Sequence, residues 1–321
     1  MSVAIQEIQT AFASEASAAP SLFADLAKVE LYIAESYRSR AFIELLQNAD
    51  DAGARRVLIR QAGKHLLVAN DGRPFTSEDV VALCRSGASN KRRGSGTIGY
   101  RGIGFKSVAG IAHEISVISG NCNFCFSKPI TQQLLGIQTD VPLIRIPHPI
   151  SSKKTQVESI AELLLTEGMN TVFVLSGLDE RMVAEEVQSF DESSMLFLNN
   201  VSRVEIDLLG VKRELTLIAK QHETGLSIKQ IGNSDEQHNW LVAGFEDSCE
   251  KVAFALDGDT VVPAALEHSV IHAFMPTTEF AGALIKMNGD FSTDPSRKSV
   301  DLDDTSQAAF IHCVELLAAV L

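Results

Sequence analysis

From Pro20 to Gly53 apolar and polar positions follow a helical period. "PSLFADLAKVELYIAESYRSRAFIELLQNADDAG" predicts a helix opened by Pro20 and Ser21, broken between Ser36 and Ser39, and resumed to Gly53, a glycine stop. A weaker helical pattern covers 3–13. The period then shortens to two: Val57 to Gln61 and His65 to Ala69, separated by "AGK" and closed by "NDG", predict a hairpin ending in a sharp turn. "TSEDVVALCRSGAS" offers Thr76 or Ser77 as cap for a helix to about Arg85, and residues 86–104 are a loop rich in Gly, Ser, Lys and Arg. After it the pattern predicts a helix begun by Phe105, Lys106 and Ser107, then strands near 115–119, 122–127 and 142–146. A helix near 156–167 and the strand "NTVFVLSG" follow. Helices covering one face of a mixed or antiparallel sheet are the simplest way to bury these runs.

A boundary is expected around 185–200. Beyond it "SRVEIDLLG", "RELTLIAKQ", "EQHNWLVAGF" and "KVAFALDG" are successive strand-like runs. "HAFMPT", "GALIKMNGDF" and a terminal helix through "SQAAFIHCVELLAAVL" complete the chain. No internal repeat or low-complexity tail interrupts this order.

Composition changes the picture in three ways. With 321 residues and 45% hydrophobic content the chain can bury a full core. Its formal charge of −13 opposes non-specific attraction to phosphate backbones, so nucleic acid is not an expected direct partner. No apolar run approaches the roughly 20 residues of a membrane span, and the alanine-rich start has no basic leader, so a cytoplasmic location is expected. Five cysteines, with one CxxC pair at Cys122 and Cys125, lack the second pair of a zinc ribbon and read as reduced strand thiols.

Against this background "ELLQNADDA" stands out. At about 100° per residue, Glu44, Asn48 and Asp51 fall on one narrow face of their helix. Taken singly, such a face is a solvated stripe. The glycines downstream alter that reading. Gly94, Gly96 and Gly99 spell GxGxxG, but they follow the basic loop "SNKRR" instead of a strand, so the dinucleotide fingerprint does not apply. Gly99, Gly102 and Gly104 of "IGYRGIGFKSV" lead into the expected helix, where free amides and the dipole would favour a phosphate.

An acid–amide helix face, a strand ending in "NDG", a basic loop and GxxGxG occur in that order within about 65 residues. This set resembles the ATP-binding domain of the GHKL superfamily, and "FIELLQNADDA", "NDGRPFT" and "RGIGFKSV" are most similar to its sacsin-type, chaperone-like branch. The resemblance implies an α+β two-layer sandwich, the Bergerat fold, over 1–190, with an N-terminal helical extension. A smaller α/β transducer-like region over 191–321 would follow it.

The resemblance also assigns roles. Glu44 matches the catalytic acid that polarises water for attack on the γ-phosphate, Asn48 the amide that coordinates Mg²⁺, and Asp51 a residue at the nucleotide's edge. Where the family has an adenine-reading acid this chain has Asn70, followed by Asp71 and Gly72, with Pro74 in place of a second glycine. Either Asn70 meets adenine or a shifted turn presents Asp71, the preferred of the two. Gly99, Gly102, Gly104, Phe105 and Lys106 would hold the phosphates, and Thr171 matches the strand threonine that supports the adenine acceptor. The basic residues Lys91, Arg92 and Arg93 lie in the place of the phosphate lid. In "MNGDFSTDPSRKSV", Arg297 matches the catalytic-loop cation, with Lys298 beside it.

The implied activity is slow, Mg²⁺-dependent hydrolysis of ATP to ADP and phosphate by a nucleotide-gated clamp. A homodimer linked to nucleotide and a protein client or effector are its implied partners. A weakly hydrolysing sensor acting on an effector, as in bacterial defence systems, is the alternative, and a scaffold without nucleotide is a third reading. A histidine-kinase role is disfavoured because residues 1–64 contain no histidine. Gyrase-like strand passage would need a DNA-cleaving tyrosine, and the three tyrosines all lie at or before Tyr100.

Overall fold

The computed structural model describes residues 3–36, 40–85, 104–150, 156–223, 225–233, 236–245, 248–294 and 297–320. The chain is α+β, and its contacts separate it into two compact units. The first holds the described residues up to Ser189 together with Glu205–Lys212. The second holds Phe190–Val204 and the described residues from Arg213 onward.

In the first unit helices α1 (Val3–Ala18), α2 (Pro20–Ser36) and α3 (Ala41–Asp51) precede the hairpin β1 (Arg56–Ala62) and β2 (His65–Asn70). Helix α4 (Ser77–Cys84) follows, started by Thr76: the Thr76 hydroxyl accepts from the Asp79 N–H and the Asp79 carboxylate accepts from the Thr76 N–H, a reciprocal capping box. Then come β3 (Glu114–Ser119), β4 (Phe124–Ser127), α5 (Lys128–Leu135), β5 (His148–Pro149), α6 (Gln156–Thr166), β6 (Thr171–Ser176), α7 (Glu180–Ser189) and β7 (Arg203–Leu208). The strands lie in the order β7-β1-β2-β6-β3-β4-β5. Antiparallel pairing sets Asn70 opposite Thr171, and Thr171 opposite Ser119.

Three expectations are corrected here. Residues 105–110 do not open an α-helix; Gly104–Gly110 is a short 3₁₀ turn, which lacks the long dipole on which the anion argument rested. Residues 142–146 are not a strand, because the Leu143 and Ile144 amides donate to the Glu30 carboxylate of α2 and no ladder forms. Both faces of this sheet, not one, are also covered. Val172 and Val174 of β6 pack with Ala161 and Leu164 of α6, whereas Phe173, pointing the opposite way, meets Phe105 at 5.5 Å and Phe75 at 6.0 Å between ring centroids. The uninterrupted apolar runs "LLVA" and "VFVL" are the sequence counterpart of burial on both sides.

The second unit is β-rich. It contains β8 (Val211–Glu223), β9 (Leu226–Gly232), β10 (Gln237–Gly244), β11 (Lys251–Asp257), β12 (Thr260–Val262), β13 (Val270–Ala273), β14 (Met275–Phe280), β15 (Lys286–Asn288) and α8 (Asp304–Val320). The order is β8-β9-β10-β11-β15-β13-β14, with β12 on β11 and a parallel pairing between β13 and β15. Ala309, Cys313 and Leu316, spaced along one face of α8, close a core on Val252, Phe254, Ile271 and Met287.

Candidate functional site

Helix α3 lies deep in the first unit. Phe42, Leu45, Leu46 and Ala49 are buried, and so are Glu44, Gln47 and Asp50; Asn48 and Asp51 are half-buried. Its own N-cap residue, Arg40, supplies no capping side chain. Glu186 of α7 does that work instead: Oε1 accepts from the Ala41 N–H at 2.9 Å and Oε2 from the Phe42 N–H at 3.0 Å. A carboxylate at a helix N-terminus also complements the dipole. Burial nevertheless pushes the Glu186 carboxyl up to about 7, against the lowering effect of the two amides and of Arg40. Glu44 sits in the turn that this carboxylate anchors.

The Glu44 side chain, 3% exposed, lies against the backbone of Gly104. A single carbon added at Gly104 would overlap the carboxylate, so only glycine lets these two segments approach. Thus the acid on α3 and one glycine of the "GIG" turn come together, with Phe105 and Ser107 buried just beyond. Gly99 and Gly102, with Lys91, Arg92 and Arg93 of the expected lid, lie outside the described residues.

A second polar group forms at the ends of β2, β6 and β3. Residues directly opposite across a pair share a face, so Asn70, Thr171 and Ser119 stand in one row on the side of Phe173 and Phe105. The Ser119 and Thr171 hydroxyls are 2.6 Å apart, and Ser119 Oγ accepts from the Phe75 N–H. Asn70 Oδ1 accepts from the Gly72 N–H. Asp71 faces elsewhere: its Oδ1 accepts from the Arg55 and Arg56 N–H groups, at 2.7 and 2.9 Å, and closes the α3–β1 turn. The preference for Asp71 over Asn70 is therefore corrected. Ser119 and Asn170, whose Nδ2 donates to the carbonyls of Asp71 and Gly72, escaped sequence reasoning because strand ends carry no such signal before their partners are known.

Lys106 is a further correction. Its Nζ donates to the Ile144 carbonyl at 2.7 Å and lies 3.8 Å from the Glu30 carboxylate, and burial pulls its pKa down. It serves a buried pair in place of the expected phosphate contact. Arg297 belongs to the second unit, is buried there, and has a left-handed backbone, φ 53°.

Among the described residues no group of three or more His, Cys, Asp and Glu side chains is arranged to hold a metal. Mg²⁺ in a nucleotide complex needs none, since phosphate and water supply most of its oxygens. One carboxylate and one carboxamide a turn apart, beside a glycine that a Cβ would obstruct, fit that role.

The Sacsin domain matches residues 58–175. That stretch runs from β1 to β6 and holds Asn70, Gly104 and Thr171, while α3 lies outside it. The chain is also 27% identical over 301 residues to Protein NO VEIN of Arabidopsis thaliana, covering 85% of this chain and 11% of that protein. It is 25% identical over 355 residues to Sacsin of Homo sapiens, covering 81% of this chain and 8% of that protein. The chain thus spans about a tenth of the length of these curated relatives. No described helix is long and apolar enough to cross a membrane.

Proposed function

We propose that the first unit is a Mg²⁺-dependent nucleotide-hydrolysing domain of the GHKL type, an ATPase whose nucleotide state sets the conformation of a chaperone-like or regulatory protein. The observation that carries this reading is the apposition of the Glu44 carboxylate and the Gly104 backbone, two features 60 positions apart in sequence that a shared site would bring together. The similarity of the β1–β6 stretch to the Sacsin domain supports it.

Asn48 would hold Mg²⁺, which when bound offsets phosphate charge. Glu44 accepts a proton from water as its oxygen attacks the γ-phosphorus; the bond to the bridging oxygen breaks and ADP leaves with that electron pair. The burial of Glu44 keeps competing water from its carboxylate. Gly104 lets the main chain reach the phosphates, and the Asn70–Thr171 row receives the base. Arg297 keeps the catalytic-loop role that the resemblance gives it, a cation for the charge developing on the phosphate. Dimerisation on nucleotide and a protein client belong to the same proposal.

Glu44→Gln tests it. Calorimetry with Mg·ATP should show affinity within a few-fold of wild type, while phosphate release falls by about 10²–10⁴-fold. Unchanged turnover removes Glu44 as the base, and no binding of any nucleotide to the wild type removes the reading. Binding by the wild type without measurable turnover would instead favour the sensor.

A further inference from the structure

An amide stands where an adenine-reading carboxylate is expected, and the turn around it fixes which end it presents. Asn70 Oδ1 accepts from the Gly72 N–H at 3.1 Å, a bond only the oxygen can make, so the orientation of the amide follows from its partner. Gly72 has no room to turn away. A Cβ there would lie 2.9 Å from the Ala52 carbonyl oxygen and 3.1 Å from Ala54 Cβ; the Arg73 N–H is bound to that same carbonyl, and Asn170 grips the carbonyls of Asp71 and Gly72. What Asn70 has left to offer is Nδ2, a donor, which has no partner among the described residues.

Proton accounting makes its neighbour a donor too. Ser119 is fully buried, and its Oγ already accepts from the Phe75 N–H. Among the described residues its own proton is satisfied only by Thr171 Oγ1, 2.6 Å away. Thr171 then accepts from Ser119, and its own hydroxyl proton is left for another acceptor. Asn70 and Thr171, directly opposite each other on β2 and β6, thus present two donors side by side. Adenine offers such a floor one acceptor, N1, beside its 6-amino donor, so one of the two donors faces a donor; hypoxanthine and guanine offer a carbonyl oxygen able to accept from both.

We propose that the base subsite formed by Asn70 and Thr171 favours a 6-oxopurine over adenine. The proposal rests on the nucleotide-site reading and refines only its base. ATP still binds, but Asn70 must rotate its amide, lose the Gly72 N–H and set its own NH₂ against that group.

The test is calorimetry on the whole chain with the Mg²⁺ complexes of ATP, ITP and GTP. ITP is the decisive ligand, since its base differs from adenine only at the 6-position and the neighbouring ring nitrogen. It should bind about tenfold more tightly than ATP, the equivalent of one hydrogen bond. GTP should follow ITP in exceeding ATP. Asn70→Asp keeps the Gly72 contact through one oxygen and turns the other into an acceptor, so it should reverse the order in favour of ATP. Thermal unfolding without ligand checks that the variant folds, and the wild-type comparison stands without it. ATP binding wild type as tightly as ITP or more so overturns the proposal while leaving the nucleotide site intact. An order unchanged in a folded Asn70→Asp variant overturns the assignment to Asn70. Absence of binding by all three overturns both the proposal and the site.

Discussion

Both units bury charged side chains, and they satisfy them differently. In the first, charges meet: Glu30 accepts from two backbone amides and stands beside Lys106, while Glu186 accepts from the two amides that begin α3. In the second, buried amines reach carbonyl oxygens. Lys229 donates to Leu196, and Lys286 donates to His268 with Trp240 beneath it at 5.1 Å. Burial brings Lys286 down to about 8, whereas Asp191 and Glu192 pull it back up. The difference teaches where rigidity is concentrated. Carboxylates that bind consecutive amides fix backbone that no ladder supports, and both such carboxylates border the helix or the turn of the candidate site. Lys229 and Lys286 of the second unit are instead each placed on a carbonyl oxygen.

The sharpest way to break this comparison is to remove one amine from each unit. Lys106→Met leaves Glu30 buried without its cation and should cost about 3–5 kcal/mol. Lys286→Met leaves a carbonyl and a ring uncovered and should cost about 1–3 kcal/mol. Chemical denaturation of both variants reads the two values, and equal losses would show that the two kinds of burial are energetically alike.

His148 gives the next effect. It bonds to Gln9 and Thr131, and burial lowers its pKa to about 4. A depressed folded pKa means that its contribution is complete above the ordinary value of 6.5 and is lost as pH falls through about 4. Stability of the wild type relative to His148→Gln should therefore decline by on the order of 2 kcal/mol from pH 7 to pH 4, measured by denaturation at each pH. A pH-independent difference would place the histidine's protonation outside the folding equilibrium. The smallest effect is expected from Glu186→Ala, which strips the cap from α3 at a cost of about 1 kcal/mol, seen as a lower unfolding midpoint. No change there would mean that the rest of α3 packs well enough to hold its first turn.

Sequence periodicity made much of this legible. The breaks at Ser36 and Gly53, the β1–β2 hairpin, Thr76 as cap, α6, β6 and α8 all follow from local signals, and "ELLQNADDA" with "GIG" pointed to two segments that the fold does bring together. What failed was set by distant partners. "PLIRI" has strand composition, but Glu30, more than 100 residues earlier, takes its amides. Lys106 beside glycines looks like a phosphate ligand until Ile144 and Glu30 are seen to occupy it. Helices α5 and α7 and strand β9 are short and polar enough to hide in linkers, and α7 carries the one carboxylate that starts α3. Asn70 and Asp71 could not be ranked from "NDG" alone, because the choice depends on which of them the α3–β1 turn consumes.

Helix α7 is also the last element of the first unit before the chain passes, at Phe190, into the second. Its grip on α3 includes two hydrogen bonds, each broken by a displacement of about 1 Å. Those bonds lie within one turn of Glu44, so a displacement of α7 reaches the candidate acid directly.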